Sequence, residues 1–257
     1  MKRWTIVIAV LAATALLVWI AALQTPDGRL HVIFLDTESG QGILVRTPSG
    51  HTIVIDGGPR PSVLLTALGR YLPFWQHTID SIIATHRGTT ALVPLTDVSR
   101  RYNVLAAVFP PTAAAPSAAF ASWQRVLLDR HVPLTEAQTG TLLDMADGTL
   151  IRVSAASDGH LALEISYGEL NVLLPGTQET VPDILNATIV AVPTSARAAP
   201  KLPLADSVAA LILLSGKRGA APASPPSAPN IDVWSTAVHG PLELVSDGSR
   251  YQIRPAR

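Results

Sequence analysis

The sequence predicts an α/β domain built as a four-layer αββα sandwich, preceded by one N-terminal transmembrane helix. Two observations give the sandwich. Short apolar runs rich in β-branched residues recur in both halves of residues 30–257, and segments of helical periodicity are interspersed among them. A third gives the helix: from Trp4 to Leu23 there is no charged residue, and twenty residues at helical rise cover roughly 30 Å, the thickness of a bilayer's hydrocarbon core.

Residues 1–24 therefore read as a membrane anchor. Lys2 and Arg3 precede the apolar run, Trp4 and Trp19 stand near its ends, and the flank "QTPDGR" carries one acid and one base. That bias places the N-terminus in the cytoplasm and the following domain outside it, as in a single-pass protein of the cell membrane. A cleaved signal peptide is the competing reading, but the run exceeds a usual signal core and no clean Ala-x-Ala site lies before Gln24.

"LHVIFLD" (30–36), "GILVRTP" (42–48) and "HTIVIDGG" (51–58) read as consecutive strands, the last two joined by the turn Pro48-Ser49-Gly50. A helix is expected over 62–72, with Ser62 as its N-cap after Pro61. "IDSIIAT" (79–85) is a short buried strand, followed by a loop at His86 and a helix over 92–101. Another strand covers 104–110, and Phe120, Trp123, Val126 and Leu127 mark one face of a helix.

The second half repeats this grammar. Strands are expected within 140–156, 161–176 and 187–194, and "LADSVAALILLSG" is either a helix ending in a strand or mostly strand. Residues 216–230 are too rich in Pro and Gly to be ordered by local propensity. The last stretch reads as a strand and a terminal hairpin around His239-Gly240 and Asp247-Gly248. Nothing divides residues 30–257, which form a single domain.

Composition excludes several functions. The chain of 257 residues has no cysteine, which removes disulfides and thiolate-bound metals. Its net charge of zero is not the footprint of a protein that grips nucleic acid by its phosphates. Ser39 lies in "ESGQG" rather than a nucleophile elbow, and "SGKRG" (215–219) lacks the first glycine of a phosphate loop. The sequon at Asn186 adjoins an apolar strand, where chance explains it. No small-molecule substrate is indicated.

"LHVIFLDTESGQGILVRTPSGHTIVIDGG" resembles the opening of the metallo-β-lactamase-fold domain of ComEC-type competence proteins, the membrane channels of bacterial DNA uptake. Phe34-Leu35-Asp36 and Ile55-Asp56-Gly57-Gly58 carry that resemblance, as do "LPFWQHTIDSIIATH" and the closing "VWSTAVHGPLELVSDGSRYQI". The family's zinc loop, His-x-His-x-Asp-His, aligned from Thr85-His86, puts its later ligands on Gly88, Thr90 and Ala91. Its strand-end aspartate falls on Thr177, and its later histidine segment on Thr194 and Ser195. The resemblance thus implies a metal site with His86 alone as a relic ligand. Asp56, Gly57, Gly58 and Thr85 remain there in structural roles, with Asp56 accepting backbone N–H bonds near Gly57 and Gly58.

A catalytic zinc needs about three protein ligands and an open position, and only a metal so held brings its bound water to a pKa near 7. His86 can be read as a relic ligand, an acid/base or a satisfied polar residue at a strand end. Histidines 31, 51, 77, 131, 160 and 239 form no His-x-His or His-x-x-x-His pair. A catalytic group and a resident cofactor are therefore not expected. The resemblance implies a membrane-bound protein that has lost catalysis and keeps a binding or assembly role, with a competence channel protein as partner. DNA is a partner that the charge does not support. The alternative is a metal-dependent hydrolase or nuclease of DNA uptake that uses zinc or manganese.

Overall fold

The computed structural model describes residues 2–23, 26–37, 41–176, 186–194, 207–215 and 231–256. Its first element is helix α1 (Lys2–Leu23), whose described side chains, residues 4–15, are all exposed. That stretch rises about 18 Å. Among the described residues no helix is long and apolar enough to cross a membrane, so the fold does not show the spanning helix expected at residues 1–24.

Strands β1 (Leu30–Phe34), β2 (Gly42–Arg46) and β3 (Thr52–Asp56) follow as an antiparallel meander. Then come α2 (Pro61–Tyr71), β4 (Thr78–Ile79), β5 (Ser81–Ile83), α3 (Thr89–Arg101), β6 (Asn103–Val104), β7 (Ala107–Phe109), α4 (Ala118–Asp129) and β8 (Leu134–Glu136). β3, β5, β7 and β8 pair in parallel because each of the last three is reached from the one before through a crossover helix, α2, α3 or α4. The small pair β4–β6 stands apart from the main sheets.

The second half begins with β9 (Leu142–Asp144), β10 (Thr149–Ser157), β11 (His160–Tyr167) and β12 (Leu170–Leu174), again an antiparallel meander. β13 (Ile189–Thr194), β14 (Ala210–Ser215) and β15 (Asp232–Ser235) continue it in parallel. After the four-residue α5 (Thr236–His239), β16 (Leu242–Ser246) and β17 (Tyr251–Pro255) return to the first sheet beside β1. The sheets are ordered β17-β16-β1-β2-β3-β5-β7-β8 and β15-β14-β13-β12-β11-β10-β9, each with an antiparallel part and a parallel part.

The two inner faces meet in one apolar core. Val32, Phe34, Ile43, Ile53 and Ile55 from the first sheet pack with Ile151, Leu163, Ile165, Val172 and Ile212 from the second. The alternation along β1–β3 sends Ile33, Leu44 and Val54 to the other face, where α2, α3 and α4 cover them with Leu64, Leu68, Leu92, Leu95, Phe120 and Trp123. Val190, Val192, Leu211 and Leu213 form a third cluster on the outer side of the second sheet, and the four-residue α5 contacts β14 and β15. Among the described residues no longer helix packs on this sheet, so the fourth layer of the expected αββα arrangement is not seen there.

Several local expectations are corrected. Arg60, not Ser62, is the N-cap of α2, because Pro61 takes the first helical position where its missing N–H costs nothing. Helix α3 starts at Thr89, three residues before the expected point, since Gly88 in extended geometry caps it and Pro94 is tolerated inside. The run at 104–110 divides into β6 and β7, and the run at 79–85 into β4 and β5. In the segment read as a helix ending in a strand or mostly strand, residues 210–215 are strand, and residues 204–206 and 216 lie outside the described residues. Val126 is only half-buried, while Phe120, Trp123 and Leu127 are buried as expected. The Pro/Gly-rich stretch 216–230 lies outside the described residues.

His31 ties the returning C-terminal strands to β1. Its Nδ1 lies 2.9 Å from Glu243 Oε1 on β16 and its Nε2 3.0 Å from Asp27 Oδ1, while Glu243 also accepts a 2.9 Å bond from Arg254 Nε. Burial opposes a charge on His31, but the two carboxylates outweigh it and hold its pKa above the ordinary 6.5. A folded-state value above the unfolded one means stabilisation that is complete below pH 6.5 and lost as pH rises through the folded value. Urea unfolding across that range is expected to show this slope in the native chain and to lack it in His31→Gln.

Candidate functional site

The residues singled out around Thr85-His86 gather where β3 and β5 end. Asp56, the last residue of β3, is fully buried with a left-handed φ of 52°, a conformation that Asp tolerates better than most residues. Its Oδ1 accepts a 2.7 Å bond from the Thr85 backbone N–H, and its Oδ2 accepts from the Thr85 hydroxyl. The carboxylate thus binds the loop after β5 rather than the N–H groups of Gly57 and Gly58, which corrects the expected partner. Gly57 serves a different need: a Cβ there would lie 2.5 Å from Pro94 Cβ and 2.7 Å from Leu64 Cδ2, so its bareness lets α2 and α3 close over the strand end.

His86 is held at both ring nitrogens by hydroxyls. Nε2 lies 2.8 Å from Thr90 Oγ1, and Nδ1 lies 3.3 Å from Thr85 Oγ1 and 3.7 Å from Asp56 Oδ2. Because the Thr85 hydroxyl donates to Asp56, its lone pairs are free to accept from Nδ1–H, which leaves Nε2 to accept from Thr90. The order Thr90, His86, Asp56 has the parts of a hydroxyl–imidazole–carboxylate relay, but Thr85 stands between ring and carboxylate. Asp56 therefore fixes the loop and does not orient the imidazole directly.

Burial pushes the Asp56 carboxyl above its ordinary range, against the nearby His86 and the two Thr85 bonds. Both oxygens are occupied and neither is aimed at open space.

The other positions surround this ring. Gly88 caps α3, Thr90 lies in its first turn, and Ala91 is fully buried beneath it. A Cβ on Gly88 would meet His86 Cδ2 at 2.8 Å, so a side chain there and the present ring position compete for the same space. Thr194 ends β13, at the end of the second sheet where β11 begins, and Thr177 and Ser195 lie outside the described residues.

Three participants were not legible in the sequence. His86 pairs as a β-bridge with His160, their rings stacked at 6.5 Å, and the Thr85 carbonyl accepts a 2.7 Å bond from Leu161 N–H. The loop thereby sews the first sheet to the second. Arg87 is wedged with its guanidinium 4.2 Å from the Phe120 ring centroid and 5.1 Å from that of Phe109, and its Nε donates to the Pro110 carbonyl at 2.9 Å. His160 lies 74 positions from His86 and no spacing rule connects them; only the fold does.

A metal would find a poor donor set here. Among the described residues no three His, Asp or Glu side chains converge. Asp56 is engaged by Thr85, and His86 by two threonines. These residues do not fit the zinc or manganese that the resemblance suggests.

No family model matches the sequence, and no curated protein matches it. Solved structures do. A variant of CmlA, a diiron β-hydroxylase from Streptomyces venezuelae, is similar with a TM-score of 0.55 at 14% identity, over 86% of this chain and 54% of that one. The chain thus spans about half of that protein. The metallo-β-lactamase fold protein YhfI from Bacillus subtilis matches with a TM-score of 0.49 at 14% identity, covering 71% of this chain and 85% of its own. A diphosphatase of the PhnP family matches with a TM-score of 0.48 at 12% identity, over 84% and 98%. The chain shares with CmlA an α/β sandwich, here of two mixed sheets, and at these identities the likeness concerns the fold alone.

Asp56→Asn keeps an acceptor for Thr85 and the left-handed backbone, whereas Asp56→Ala abandons a buried N–H and is expected to cost about 1–3 kcal/mol by denaturant unfolding. An acid whose folded pKa is raised contributes stability that is complete below its ordinary 3.8 and falls as pH rises through the folded value. The stability of the native chain relative to Asp56→Asn is thus expected to decline with pH above 3.8. A rise over that range would mean that the two Thr85 bonds outweigh burial and lower the carboxyl's pKa instead.

Proposed function

We propose that this chain is a membrane-anchored, ComEC-like protein of the metallo-β-lactamase fold that does not catalyse hydrolysis and serves a binding or assembly role in DNA uptake. One observation carries the reading. At the positions that the resemblance assigns to metal ligands, His86 is closed off by Thr85 and Thr90, and Gly88 leaves room for the ring where a second ligand would stand. Replacement of ligands by small or hydroxylic residues leaves no buried charge to repel its neighbours once the metal is gone.

The anchor belongs to the same proposal. It is supported by the charge-free run Trp4–Leu23 and by the exposure of every described side chain in α1, including Trp4, Ile6, Ile8 and Leu11. Lys2 and Arg3 favour a cytoplasmic N-terminus and an extracytoplasmic domain. The partner that fits the net charge of zero is a protein, a competence channel by resemblance, rather than DNA.

The decisive measurement is metal content and phosphodiesterase activity of the full chain, purified without chelator and exposed to zinc or manganese before desalting. The expected result is no stoichiometric metal and no turnover. A stoichiometric metal lost in His86→Ala, with turnover lost alongside it, would replace this reading with a hydrolase. Co-reconstitution with a competence channel lacking its own soluble domain is expected to give a stable complex, and two independently diffusing species would remove the assembly role.

A further inference from the structure

The sandwich has two unlike ends. The site of Asp56 and His86 lies at the C-terminal ends of β3 and β5. The opposite end is where the chain arrives from α1. His31 near the start of β1 is level with Arg46 at the end of β2, and Arg46 with Thr52 at the start of β3. Pro26 packs on the turn between β2 and β3, so close that a Cβ on Gly50 would meet its Cγ at 2.6 Å.

The loop between α2 and β4 projects at this same end. Gln76 Nε2 donates to Thr52 Oγ1 at 2.7 Å, and Gln76 N–H closes a turn on the Pro73 carbonyl at 2.9 Å. The two residues inside that turn are Phe74, 71% exposed, and Trp75, 40% exposed, packed edge to face at 4.7 Å. Leu105, which follows β6 and bonds to the Ile79 carbonyl, adds a 48% exposed apolar side chain beside β4. Such a pair of aromatics on a rigid turn leaves apolar surface in water unless something covers it.

From these positions we infer that the Phe74-Trp75 turn docks into the surface of the bilayer that holds α1, orienting the domain with its Asp56–His86 end away from the membrane. The inference rests on the anchor reading above. What selects a lipid surface as the occupant is the continuity: the proposed anchor enters the fold beside this turn. Indole and phenyl rings also favour the region between headgroups and acyl chains. The turn holds no lysine or arginine between Pro73 and Thr78, so the contact is apolar and does not require anionic lipid.

The chain has no cysteine, so single labels are unambiguous. An environment-sensitive fluorophore is placed on the full-length chain at His77→Cys, at Val10→Cys in α1, or at Ala114→Cys, an exposed position whose neighbour Ala113 is bonded to Asp158 near the His86 end. Each is reconstituted in phosphatidylcholine vesicles with and without a nitroxide-bearing lipid. The expected result is quenching at Val10 and His77, about twofold or more, none at Ala114, and loss of the His77 quenching when Phe74→Ser and Trp75→Ser are added. Quenching at Val10 without quenching at His77 would overturn the docking inference and leave the anchor standing. Persistence at His77 in the doubly substituted chain would overturn the role of the aromatic pair, and no quenching at Val10 would overturn anchor and docking together.

Discussion

The buried carboxylate of Asp56 is the constraint on which the edge of this sandwich depends. A strand that ends in a left-handed residue would otherwise turn away freely, and the Thr85 N–H, next after the Ala84 N–H that bonds to the Val108 carbonyl, would be left without this acceptor. By accepting both the N–H and the hydroxyl of Thr85, Asp56 joins the two strand ends and fixes where the next residue, His86, must point. Thr85 then offers its carbonyl to Leu161, so the same loop bonds the second sheet. One carboxylate thereby sets the relation between β3, β5 and β11, at a cost in desolvation that its raised pKa records.

The coherence of the domain rests on its apolar core. The core between the sheets is contributed almost entirely by fully buried Ile, Val and Leu from both halves, and the crossover helices cover the first sheet with a second apolar layer. Burial on this scale, at about 25 cal/mol per Å² of apolar surface, is what offsets the ordering of the chain. Threonine hydroxyls at Thr85 and Thr90 satisfy His86 locally.

The parts of this fold that the sequence showed are those in which local and global preferences agree. The meander β1–β3 was visible because β-branched alternation and the Pro48-Ser49-Gly50 turn point the same way, and α4 because Phe120, Trp123 and Leu127 recur at helical spacing on the face that is buried. Strand β8 was missed because three residues, Leu134–Glu136, carry no period, and it pairs only because β7 offers an edge. Ser62 looked like a cap by residue type, yet the proline before it had already taken the first helical position. At the site, the importance of Asp56 and Thr85 was readable as a motif, whereas their mutual bond, the Arg87 wedge and the His160 contact are products of tertiary packing.

The topology also assigns different work to the two ends of the molecule. In a sheet that changes from antiparallel to parallel pairing, the C-terminal ends of the parallel strands open a crevice, the usual place for a ligand. Here His86 and the wedged Arg87 occupy that edge, and the bridge to His160 draws the sheets together across it. The opposite end gathers the entry from α1, the turn at Gly50 and the exposed Phe74 and Trp75. With that end turned to a bilayer, as inferred above, the Asp56–His86 edge would be the surface presented outward.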